Sequence, residues 1–423
     1  MRVNKGFCVA ATLLAIIAPF TACSDFLNVK TPSVIDAGNF DPSADPTVPS
    51  MSAQQNFATG AGVAYLRAAF VVGEAWNGFP TVQLEDFGLR SVAPDNPLLS
   101  SDVWAPLQLA LSSADKAASL LSKATSEIAK VETARSYLIA GYSALTIAEI
   151  FCQGVVNGGG PLTTQQMLDS AIARFASAIT GAQAMTQSSN ATIKATANSI
   201  LSAAYVGRAR ALLQLGSKTQ AAADADQVAA GSEYDLLYVD NAAARVRLSN
   251  PFWRLTFDQA QVVVPPDFRV NDPRVPWIAP TTSQPLASDG ITAFYQQGKW
   301  RSYGASIRLA SRLEADYIAA EARGTTAMLN LIAARRAANG QPAYSGPTDG
   351  SSVLTELEEQ RGREFYLEGK RLGDFRRNPN NVLHVPAPGS AYFKPGLNPI
   401  GSMTCMPIPT TESTTNPNFP RGG

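Results

Sequence analysis

Ala209, Leu212, Gly216, Ala221, Ala225 and Val228 set small and apolar residues at helical spacing on both sides of one glycine. No other feature narrows the possible folds as far. Small side chains let two helices approach closely across a tight turn, so 191–215 and 217–230 are expected to pack as a hairpin around Gly216. Similar pairs appear in 133–152 with 164–182, and in 306–323 with 325–339. Further helical periods cover 51–76, 103–123 and 127–152, and Thr163 and Thr164 cap a helix running to about 185. Generic Ala-rich helix packing produces such spacings too, but it does not require them in successive pairs.

The spacing is that of tetratricopeptide repeats, with glycine at the turn between helices. The expected fold class is therefore mostly α: a tetratricopeptide-like helical-hairpin scaffold, a right-handed α-α superhelix, with long irregular loops and few short strands. The main interruption is 235–304, where helical period fades and Trp253, Trp277 and Trp300 lie among Phe252, Phe257, Phe268, Phe294, Tyr295 and Tyr303. A long aromatic loop region inside a helical protein is usually functional. One short strand is expected near 261–264.

The start of the chain reads as an export segment rather than as fold. Arg2 and Lys5 precede an apolar run over 7–20. That run is too short to cross a hydrocarbon core of ~30 Å, but it suits a signal sequence. It ends in Phe20-Thr21-Ala22-Cys23, which resembles a bacterial lipoprotein cleavage box, so 1–22 would be removed and Cys23 lipidated. The alternative is an ordinary secretory signal beside an unmodified cysteine. Residues 23–50, rich in Pro, Asp and Ser, read as a tether, and 51–423 as one domain. Of the four cysteines, Cys8 would leave with the signal and Cys23 would carry lipid. That leaves Cys152 and Cys405, which an oxidising compartment could join across about 250 residues. Two separate thiols are the other option.

Composition bears on function mainly by exclusion. Lys and Arg number 34 against 34 Asp and Glu, which removes the usual basic footprint of nucleic-acid binding. His384 is the only histidine, so a His-based triad or multi-His metal site is hard to build. No Walker loop or nucleophile elbow is present, and no metal or cofactor is expected.

The stretch EEQRGREFYLEGKRLGDFRR over 358–377 resembles the SusD/RagB family, nutrient-binding outer-membrane lipoproteins with an E-R-x-x-E-x-x-x-E-G-x-R-x-x-D-x-x-R pattern. Three further segments are similar to the family's. They are Cys23-Ser24-Asp25-Phe26-Leu27 with Pro32, Ser311-Arg312-Leu313-Glu314-Ala315-Asp316-Tyr317 through Glu321-Ala322, and Met406-Pro407-Ile408-Pro409 followed by Asn416-Pro417-Asn418. Gln360 and Met406 depart from the usual Glu and Tyr.

The resemblance implies a surface lipoprotein of the outer membrane. It would capture an oligosaccharide, or a peptide, and hand it to a TonB-dependent barrel transporter over which it sits as a lid. It implies no enzymatic activity.

Within the charged stretch, over 352–371 read as one helix, Arg363, Glu364, Glu368, Arg371, Asp374 and Arg377 are spaced to form a ladder of opposite charges. Structural ion pairing is favoured over a Glu364/Glu368 hydrolase dyad. Sugar binding calls for aromatic faces in loops with fork-shaped hydrogen-bonding groups beside them. Two stretches offer that mixture. Trp76 and Asn77 precede Glu85, Asp86, Arg90 and Trp104, while Trp277, Tyr295 and Trp300 accompany Gln296, Gln297 and Arg301. A repeat-type envelope scaffold is the competing reading, using only the lipidation box and the helix pairs.

Overall fold

The computed structural model describes residue 41 and residues 44–420. The export segment, Cys23 and most of the tether lie outside the described residues. The helices are α1 (Thr47–Val71), α2 (Val82–Gly88), α3 (Ala105–Leu121, entered through a π-helical turn at Leu99–Trp104), α4 (Glu127–Ile150), α5 (Thr164–Met185), α6 (Ala191–Gln214) and α7 (Lys218–Asp226). After short α8 (Arg245–Leu248) and α9 (Pro251–Phe257) come α10 (Arg312–Arg323), α11 (Thr325–Ala338), α12 (Gly350–Glu364), α13 (Arg371–Arg377) and α14 (Thr410–Thr415).

The hairpins α4/α5, α6/α7 and α10/α11 form as the spacing predicts, and α1 and α3 pack beside α4. The architecture is mostly α, built of tetratricopeptide-like helical hairpins. Local chemistry sets the helix starts. Ser126, Asn190 and Asp349 each accept a backbone N–H at the first turn of α4, α6 and α12, and Thr163 with Gln166 forms a reciprocal cap on α5. Helix α4 is buried nearly all round, as a central core helix should be. It and α6 close on Phe175 of α5 through two glycines. A Cβ on Gly141 would lie 2.7 Å from the Phe175 ring, and one on Gly207 would lie 2.4 Å from it.

Four stretches differ from the sequence reading. The first helix begins at Thr47 and stops at Val71. The stretch 306–323 divides into strand β8 and α10, and 217–230 shortens to α7. The charged stretch is not one helix over 352–371: α12 stops at Glu364, and a turn with Leu367 and Gly369 at positive φ leads into α13. Gly369 is required there, since a Cβ would sit 2.1 Å from Tyr65 of α1.

The strands are β1 (Trp76–Asn77), β2 (Gln153–Gly154), β3 (Leu162–Thr163), β4 (Glu233–Leu236), β5 (Val262–Val263), β6 (Trp277–Ile278), β7 (Gln296–Gln297) and β8 (Ile307–Ser311). Strands β1-β5-β7-β6 form an antiparallel sheet with Trp76 opposite Val263, Val263 opposite Gln296, and Gln296 opposite Ile278. This sheet lies in the long insertion between hairpins α6/α7 and α10/α11. It joins the insertion to the segment that follows α1. Beyond α13 the chain returns across α4, where Cys152 and Cys405 form a disulfide and Phe151 pairs with Met406.

Candidate functional site

The four-stranded sheet brings together the two aromatic stretches singled out in the sequence. Trp76 on β1 and Tyr295 beside β7 pack on one small cluster of Ala260, Val263, Ala287 and Phe294. Trp76 also lines a cleft of about 260 Å³, whose walls include Gly73, Pro265, Asp267, His384, Tyr392 and Phe393. The Phe393 ring lies flat on Trp76, with centroids 4.1 Å apart and planes 3° from parallel, and Tyr392 tilts onto Phe393 at 4.5 Å. Across the segment 264–269, Trp277 is 37% exposed and stands 5.8 Å from Tyr295, whose ring carries the Arg269 guanidinium at 3.5 Å. Two aromatic patches result: Trp76 with Phe393 in a cleft walled by His384 and Asp267, and Trp277 with Tyr295 and Arg269 at the far edge of the sheet.

Glu85 fastens one side of the Trp76 cleft. Its buried carboxylate accepts from the Asn77 amide at 2.9 Å, from Tyr392 Oη at 2.7 Å and from Lys394 Nζ at 2.5 Å. Lys394 also reaches Asp289 at 2.9 Å. Burial raises the Asp289 carboxyl, but hydrogen bonds from Lys394 and Thr292 outweigh it and hold the group below its usual range. The Tyr392 phenol is pushed well above its ordinary value by burial and by the Glu85 carboxylate.

Several residues singled out from sequence are not placed to touch a ligand. Asn77 is fully buried, with its amide spent on Glu85 and on the Phe79 backbone. Trp300 is buried against Phe252, with ring centroids 4.7 Å apart, and its indole N–H donates to Ser306 O. Gln297 is buried and closes the turn to Lys299 and Trp300, and Gln296 sits buried within the sheet. Trp104 is buried and donates to Glu412. Arg301 is exposed, as are Trp277 and His384. Sequence reading missed Asp267, Tyr392, Phe393 and Lys394. The Ala391-Tyr392-Phe393-Lys394 run in the Pro- and Gly-rich tail was the available signal.

The charged stretch builds a network that is tertiary rather than a ladder along one helix. Glu368 meets Lys299 at 2.8 Å, Arg308 at 2.9 Å and Lys370 at 3.3 Å. Glu364 meets Arg335 at 2.9 Å and Arg274 at 3.3 Å. Arg361 pairs with Asp374 at 2.8 Å, and Arg377 joins Asp374 to Glu321 and Glu358. Arg371 donates to Leu383 O, and only the Arg363–Glu359 and Arg377–Asp374 contacts follow helical spacing.

Burial raises the Glu368 carboxyl, but Lys299, Lys370 and Arg308 outweigh it and hold it at about 2. Glu364 and Glu368 line a charged groove of about 460 Å³. A carboxylate so firmly ionised cannot serve there as a general acid near neutral pH.

No family model matches the sequence, and no curated protein does. Solved structures do match. A laminarin-binding SusD-like protein superposes with a TM-score of 0.66 at 14% identity, covering 88% of this chain and 98% of that one. The surface glycan-binding protein A of Bacteroides thetaiotaomicron, solved with laminarihexaose, gives 0.66 at 13% identity over 88% and 97%. A SusD/RagB family protein from the same species gives 0.60 at 14% identity over 87% and 93%. Likenesses of this degree speak to architecture, and the fold of this chain is that of the SusD/RagB proteins.

Proposed function

We propose that the chain is a surface lipoprotein that binds an oligosaccharide without cleaving it and passes it to a TonB-dependent barrel transporter of the outer membrane. The observation that carries the reading is the Trp76 cleft. Its wall sets hydrogen-bonding groups from Asp267 and His384 beside the Trp76 ring, and Trp277 stands exposed as a separate aromatic patch. Apolar faces of pyranose rings stack on such surfaces while their hydroxyls meet planar polar groups. Similarity in fold to proteins described as binding laminarin and laminarihexaose supports a glycan over a peptide. Glu368 is committed to Lys299, Arg308 and Lys370, and Glu364 to Arg335 and Arg274, which supports structural ion pairing over a hydrolase dyad. No helix among the described residues is long and apolar enough to cross a membrane, which is compatible with anchoring through Cys23.

Affinity electrophoresis through soluble laminarin, starch, xylan and mannan tests the reading. One of these should retard the wild-type chain, and Trp76→Ala with Trp277→Ala should lose at least tenfold in affinity with unchanged far-UV circular dichroism. Retention that survives both changes would sink it. Copurification of a barrel transporter from detergent-solubilised outer membrane tests the delivery step, and loss of palmitate labelling in Cys23→Ala tests the anchor.

A further inference from the structure

We propose that residues 389–400 form a movable strap, and that a sugar ring takes the face of Trp76 by displacing Phe393 from it. The proposal rests on the glycan reading above and adds a conformational step to it. Four features of the segment make it a unit able to lift. Its two ends are tied to each other, with Gly389 N–H donating to Ile400 O at 2.8 Å and Ile400 N–H donating to Ser390 O at 2.9 Å. A loop closed on itself can swing without unravelling its neighbours. Gly389 and Gly396 both hold positive φ in open space, so no side chain blocks rotation at either point. On its underside the strap is held by polar contacts that converge on one carboxylate: Tyr392 and Lys394 both reach Glu85, with Asp289 as the second partner of Lys394. Finally, the ring-on-ring contact that joins it to the body among the described residues is Phe393 lying flat on Trp76.

That last contact has the geometry of a stacked sugar. A planar group parallel to an indole at about ring-contact distance is what the apolar face of a pyranose would replace. Phe393 and a sugar ring therefore compete for one surface. Lifting the strap would also remove Ala391, Tyr392 and Phe393 from the cleft wall and open it toward the solvent.

The competition fixes the sign of the test. If Phe393 were simply part of the binding platform, its removal would weaken binding. If it holds the place of the sugar, Phe393→Ala should bind the retarding polysaccharide at least threefold more tightly than wild type, and Lys394→Met, which frees the strap from Glu85 and Asp289, should do likewise. Equal or weaker binding by both folded variants overturns the strap.

A second measurement needs no sugar. In hydrogen–deuterium exchange of the unmodified chain, amides of 390–399 should exchange at least tenfold faster than those of 403–408, and Lys394→Met should speed them further. Exchange in 390–399 as slow as in 403–408, unaltered by Lys394→Met, also overturns it. The two readings fail separately: a chain carrying both Trp76→Ala and Trp277→Ala that still binds removes the glycan site, whereas a slow strap removes only the displacement step.

Discussion

Glu368 and Glu74 show how differently two buried carboxylates can behave in one protein. Glu368 is depressed because three cations surround it, so its contribution to stability is present above the unfolded value of about 4.5 and is lost as pH falls toward about 2. Glu74 accepts from Leu367 N–H at 2.8 Å, and burial raises it to about 7 against the pull of Arg371. Between about 4.5 and 7 the folded chain keeps a proton that the unfolded chain has released, so Glu74 lowers stability as pH rises through that window. Glu368→Gln should therefore cost about 3 kcal/mol at pH 7, since it leaves Lys299, Arg308 and Lys370 short of a counter-charge. The same change should flatten the acid side of a stability profile. Glu74→Gln, which keeps an acceptor for Leu367, should flatten the side between about 4.5 and 7. Urea midpoints measured from pH 3 to 8 check both, and profiles parallel to wild type would refute them.

At the scale of helices and strands, the hairpin α4/α5/α6 depends on how closely its members approach. Gly207→Ala puts a methyl into the Phe175 ring and should destabilise by about 1–3 kcal/mol through overpacking. Phe175→Leu in the same chain should return part of that loss, and a denaturation series in which the double change is simply additive would contradict the steric account. These hairpins were legible in sequence because Gly216 and its flanking Ala and Leu carry a local signal. Other boundaries were less so. The start of α10 was also marked locally, since Ser311 accepts from Glu314 N–H three residues on, yet the apolar residues of 307–311 read as more helix when they are the buried face of β8. The break after Glu364 depends on Tyr65 pressing on Gly369, and a contact between residues that far apart leaves no local mark. Pairing between distant charges explains why the expected ladder became a tertiary network.

For the whole molecule, the return of the tail decides what the site is. Trp76, Trp277 and Tyr295 could be chosen from sequence as aromatics in loops, but Asn77 and Trp300 could not be told from them, because burial is set by strand register rather than by residue type. Phe393 escaped notice because only the closure of 389–400 and its attachment at Glu85 bring it to Trp76. The disulfide between Cys152 and Cys405 pins this tail to the end of α4, where the Arg376 guanidinium also caps the helix by donating to the carbonyls of Ala148, Glu149 and Phe151. A bridge spanning 253 residues in sequence should be worth about 5 kcal/mol by restricting the unfolded chain. Replacing both cysteines with serine should lower the urea midpoint accordingly and raise exchange first in 403–419, which then hangs on Met406, Asn416 and Glu412. The strap closes on itself and on Glu85, not on the disulfide. Its exchange and the affinity for polysaccharide should change less than twofold in that variant. A large loss of affinity would mean that the tail positions the cleft directly, and that the strap is no more than the end of a longer mobile segment.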